Sequence, residues 1–169
     1  MILLEILIML LIIIGNFILQ STVLPHINIF GVTPNTALII VVAIGLLRGR
    51  IFGSTVGLII GLLHDVIFCP VIGVNGFIYF FVGYFVGMTE NKLAKDNLLI
   101  PFLATAISTI VYHGLYYIFM FFLGYNIDFS VFFKNVVILE TLYNSLISML
   151  IYKWFSNIFI VPSIRFTRR

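Results

Sequence analysis

Residues 2–24 read ILLEILIMLLIIIGNFILQSTVL, with Glu5 the single charge, and this stretch decides the fold class. A helix needs roughly 20 predominantly apolar residues to cross the hydrocarbon core of a bilayer, and this run supplies them before Pro25 ends it. Ile2 to Ile14 is apolar on every side, without the alternation of a transmembrane barrel strand. The run has no small-residue cleavage site and is long enough to span, so it reads as a retained first helix rather than a cleaved signal peptide.

Five further apolar segments follow, at about 34–47, 50–68, 71–88, 98–123 and 131–155. The expected architecture is all-α, a single six-helix transmembrane bundle with short connectors and no soluble domain. The second segment is short, bounded by Gly31 and Pro34 before it and Arg48-Gly49-Arg50 after it. Pro fits a first helical turn and Arg48 can snorkel to the interface. A re-entrant segment is the alternative, and it would place the termini on opposite sides of the membrane.

Composition agrees. The chain of 169 residues is 62% hydrophobic and only 9% charged, where ordinary soluble domains are about 25% charged. Cys69 is the only cysteine, so no intrachain disulfide can form. The nine basic residues set an orientation. Arg48 and Arg50, Lys92 and Lys95, and Lys153, Arg165, Arg168 and Arg169 fall on one side of a six-span model, and Lys134 alone on the other. Eight against one predicts both termini in the cytoplasm.

Polar residues inside the apolar segments are the candidate functional groups, because a charge at membrane depth costs roughly 2.5–3.5 kcal/mol on insertion scales. Glu140 lies about ten residues into the sixth segment, roughly 15 Å along a helix that starts at 131, and so near the midplane. Asn144 and Ser148 follow at steps of four and share its face; Thr141 and Ser145 sit beside them. Asn16 and Gln20 form a similar pair in the first segment. The fifth carries Thr105, Ser108 and Tyr112, with Thr109, His113 and Tyr116 one step round. Glu140, Asn144, Ser148, Asn16 and Gln20 form a candidate intramembrane seam. It reads either as a polar pathway or partner-binding seam, or as plain interhelical hydrogen bonding at ~0.6 kcal/mol per bond. His64, Asp65, Asn35 and Asn75 form a candidate polar crown near the opposite ends of their helices from the basic loops, along with Gln20 and His26. Asp65 is expected to be solvated or to cap, and Glu5 to be solvated at the inner interface.

Gly53, Gly57 and Gly61 recur at every fourth position, and Gly83 and Gly87 repeat the spacing in the next segment. Small-residue ridges of this kind let helices approach closely. No catalytic constellation, phosphate loop, cofactor motif or metal-ligand set is expected: His26, His64 and His113 are scattered, and no basic stripe suits nucleic acid.

Several stretches taken in order resemble the rod shape-determining protein MreD family. They are Leu19-Gln20-Ser21-Thr22-Val23-Leu24-Pro25, Phe30-Gly31-Val32-Thr33-Pro34-Asn35 leading into Leu46-Leu47-Arg48-Gly49-Arg50, and Gly57 through Asp65. Gly73-Val74-Asn75-Gly76-Phe77-Ile78-Tyr79 follows, with Gly83-Tyr84 and Gly87 behind it, and Leu142-Tyr143-Asn144 closes the series. Position 64 is His where the family pattern leads one to expect Gln or another residue before the Asp. The resemblance implies a non-enzymatic scaffold of the bacterial elongation (rod) complex in the plasma membrane. It also implies association with MreC, MreB, RodA and a transpeptidase penicillin-binding protein, and a fold similar to the substrate-binding subunits of energy-coupling factor transporters. Two alternatives stay open. One is a vitamin-type uptake subunit whose pocket is the polar crown. The other is a proton-coupled or lipid-handling transporter using Glu140, for which the sequence offers no obvious buried cation.

Overall fold

The computed structural model describes residues 2–26, 31–90, 97–125 and 136–159. Among the described residues there are five α-helical elements and no β-strand: α1 (Ile2–Ile18), α2 (Thr36–Phe68), α3 (Val74–Gly87), α4 (Leu99–Phe122) and α5 (Ile138–Phe159). A π-helical turn (Leu19–Val23) and a 3-10 turn (Leu24–His26) prolong α1. Three helical stretches, Ile6–His26, Thr36–Phe68 and Leu99–Phe122, are long and apolar enough to cross a membrane. The chain is a membrane protein of nearly pure helix.

The expected second and third segments, 34–47 and 50–68, fall in the two arms of this one element, 36–48 and 50–68, which meet at Gly49. The element is not straight. Gly49 has φ 83° and ψ −175°, a conformation open essentially to glycine alone. The chain folds back there. A Cβ placed on Gly53 would lie 2.8 Å from the Gly45 Cα, although eight residues of straight helix would separate the two by about 12 Å. The arm 36–48 becomes the centre of the molecule, with every residue from Thr36 to Leu47 buried.

The second arm, 50–68, packs antiparallel to α3 at backbone contact. A Cβ on Gly61 would meet the Asn75 carbonyl at 2.6 Å, one on Gly57 would overlap the Tyr79 carbonyl, and one on Gly83 would overlap the Gly53 carbonyl. Gly87 closes on the Arg50 backbone in the same way. The ridge joins α2 to α3 within the chain. Its physical basis is that lipid offers no hydrophobic drive between helices, so dispersion at close approach has to hold them.

α4 and α5 are antiparallel, as Thr109 meeting Asn144 and Pro101 meeting Ser148 show. The last helix runs to Phe159, beyond the expected end at 155. Its expected start at 131 lies outside the described residues, as do Lys92, Lys95, Lys134, Arg165, Arg168 and Arg169 and the side chain of Glu5. α1 packs against α2 and leaves one long side facing outward.

Candidate functional site

α2 and α3 begin well inside the bundle. Asn75, the second residue of α3, bonds to Tyr112, which lies ten residues before the end of α4, about 15 Å along that helix. Helix starts leave N–H groups without intrahelical partners. In a bilayer such groups must be satisfied inside the protein. The polar residues gather where this demand arises.

Asp65, at the end of the second arm and fully buried, serves α3. Its Oδ2 accepts from the Gly73 and Gly76 amides at 2.9 and 3.0 Å. Its Oδ1 accepts from the Asn75 amide at 3.2 Å and from Asn75 Nδ2 at 2.7 Å. A carboxylate at a helix N-terminus also meets the favourable end of the helix dipole. The residue is therefore a buried cap and not a solvated one. His64, its neighbour, turns elsewhere: its Nδ1 is 3.6 Å from Cys69 Sγ, and its ring lies against Phe68. Asn75 Nδ2 also reaches Cys69 Sγ at 3.1 Å.

Asn35 does the same for α2, its side chain accepting from the Leu38 amide at 3.0 Å. Its Oδ1 also accepts from the Tyr79 hydroxyl at 3.0 Å, and its own amide donates to Asn144 Oδ1 at 2.8 Å. Asn144, fully buried, donates from Nδ2 to Thr109 Oγ1 at 3.2 Å and Glu140 Oε1 at 3.3 Å. The other carboxylate oxygen of Glu140 stands 3.0 Å from His113 Nε2. Tyr112 donates to Asn75 Oδ1 at 2.8 Å, and its ring packs on that of Tyr79 at 5.4 Å. The two tyrosines bring the two halves of the cluster side by side.

Seam and crown thus meet. Asn35, placed with the crown by sequence, bonds to Asn144 of the seam. Ser148 lies apart, donating to the Pro101 and Ser145 carbonyls. Asn16 and Gln20 bond to one another at 3.5 Å on α1. Glu140 lies in the first turn of α5 as described, and the expected start of its segment at 131 lies outside the described residues. Sequence reading left Tyr79 out of the polar groups, and it placed His113 in the stripe of the fifth segment without its partner. Tyr79 follows Asn75 by four residues and so shares its face, a signal that was available. His113 is the partner of Glu140, and no sequence spacing relates residues on two different helices.

Two larger cavities are lined by residues outside this cluster. One of about 590 Å³ sits between α3 and α4, lined by Phe81, Phe85, Ile100, Leu103 and other mostly apolar residues. Another of about 680 Å³ sits between α1 and α5. Among the described residues no three His, Cys, Asp or Glu side chains converge in a way that could hold a metal ion. The side chains of Asp65, Asn75, Asn35 and Asn144 bond within the cluster and to helix starts, which suits structural fixation better than capture of a solute.

No curated protein and no solved structure matches the chain, so the expected likeness of fold to the substrate-binding subunits of energy-coupling factor transporters gains no support. A family model does match: that of the rod shape-determining protein MreD covers residues 1–160 of 169. The chain belongs to the MreD family.

Proposed function

We propose that this chain is a non-enzymatic scaffold subunit of the bacterial cell-elongation complex, supporting lateral peptidoglycan synthesis through MreC and the associated wall synthases. The family match over residues 1–160 carries the reading. The geometry agrees with it in one respect: Asp65, Asn75, Asn35 and Asn144 bond to one another and to helix ends, which makes a rigid body. MreB, RodA and a transpeptidase penicillin-binding protein are the further partners in this reading.

The proposed topology has six spans in the plasma membrane with both termini cytoplasmic, α2 contributing two spans through its reversal at Gly49. Arg48 and Arg50 mark the cytoplasmic end. Cysteine labelling at Lys92 and Arg169 in intact cells tests this, and external labelling at either position overturns it. Affinity purification in mild detergent tests the function. Recovery of MreC with elongation enzymes supports the scaffold; recovery of ATPase subunits with a bound vitamin supports the uptake alternative.

A further inference from the structure

The slot between α1 and α5 runs along α1 from Ile8 to Leu24, with the central arm of α2 as its floor at Thr36 and Ile40. Its walls are apolar, but two groups on them are not. Asn16 is 7% exposed and Thr36 is 6% exposed. Among the described residues, Asn16 Oδ1 and Thr36 Oγ1 have no hydrogen-bond partner. An orphaned buried polar group costs roughly 1–3 kcal/mol, and in hydrocarbon no water relieves it. Beside Asn16, Gly15 is exposed, and a Cβ there would meet nothing within 4 Å.

We propose that this slot is the docking site of a single transmembrane helix that carries a hydroxyl or amide side chain at mid-span. The position of the polar groups selects that occupant. Asn16 lies midway along the α1 wall, eight residues from either end of the slot, or about 12 Å. A lipid keeps its polar group at one end and would leave Asn16 facing methylenes. A helix with Ser, Thr, Asn or Gln at its centre donates to Asn16 Oδ1 there, while Gly15 lets its backbone approach. This deepens the scaffold reading and rests on it only for the expectation of a membrane partner.

The test uses the full chain in its own cells, with a photo-crosslinking amino acid at Leu11 in the slot and, as control, at the exposed Ile59 on the second arm of α2. The expected result is an adduct at Leu11, absent at Ile59, whose crosslinked peptide maps by mass spectrometry to a transmembrane segment bearing a polar residue at mid-span. Asn16→Leu lowers its yield about threefold, the worth of one interhelical hydrogen bond. Gly15→Leu folds, because the space is open, yet reduces the yield to the Ile59 level. Adducts to lipid alone, to a second copy of this chain, to an extramembrane peptide, or equally at both positions overturn the inference. So does an unchanged yield in Gly15→Leu at an unchanged thermal midpoint. A transmembrane adduct from a protein with no part in elongation would leave the docking site standing and remove the scaffold reading. Recovery of elongation proteins without a slot adduct would do the reverse.

Discussion

Replacing Asp65 by Asn puts the burial of the α3 start to a quantitative test. The carboxylate accepts four hydrogen bonds, three of them from backbone amides, at a site with no solvent access. Asn keeps one oxygen and turns an NH2 group toward two of the four donors. Two buried donors then lose their acceptor, at roughly 1–3 kcal/mol each, and the charge that met the helix dipole is gone, at roughly 0.3–1 kcal/mol. A net loss of about 3 kcal/mol is expected. For a chain of this size that lowers the unfolding midpoint by about 6–12 °C. Asp65→Ala strands all four donors and should cost roughly twice as much. The assay is thermal unfolding of the detergent-purified protein, joined to amide hydrogen exchange at Gly73, Asn75 and Gly76. These three amides should lose protection first, ahead of the rest of α3. A midpoint within about 2 °C of the parent, with those amides still protected, would refute the capping argument, since a solvated aspartate tolerates Asn at little cost.

Glu140→Gln should retain folding and rod-shape complementation, because Gln can still accept from Asn144 and donate to His113. Glu140→Leu removes the carboxylate that faces both and should lose about 1–3 kcal/mol; failure of Gln at normal membrane levels would favour a proton-linked role instead. Gly61→Leu forces apart two backbones that even a Cβ would bring to 2.6 Å, so little monodisperse protein should survive size-exclusion chromatography, whereas Gly114→Leu, with open space around it, should behave as the parent. Equal recovery of the two variants would count against the close-packed seam. Gly49→Ala should destabilise by about 1–3 kcal/mol in the same unfolding assay, and Asn should not rescue it, because φ 83° with ψ −175° is outside the left-handed helical region that Asn tolerates. A midpoint unchanged by either substitution would mean that α2 does not turn back at that residue.

The sequence by itself determined the class of the molecule and much of its packing chemistry. Apolar runs such as residues 2–24 have no use in water, and the four-residue spacing of Gly53, Gly57 and Gly61 places all three on one helix face wherever that helix packs. The shared faces of Glu140 with Asn144, and of Asn75 with Tyr79, follow equally from helical periodicity. Tertiary structure decided what those faces meet. Asn35 and Asn144 are 109 residues apart and become partners only when α5 lies beside the start of α2. His113 and Glu140 pair because α4 and α5 run antiparallel in one register, and a shift of one residue would turn either side chain about 100° away. Asp65 looks like an interfacial charge in a linear reading; it is buried because α3 begins below the ends of its neighbours and its amides need an acceptor there. The reversal at Gly49 is legible as a glycine between two arginines, but its angle is fixed by α3 lying against both arms, where Gly45 and Gly53 meet Gly83. Local sequence sets which groups need partners, and only the packed bundle sets which partners they find.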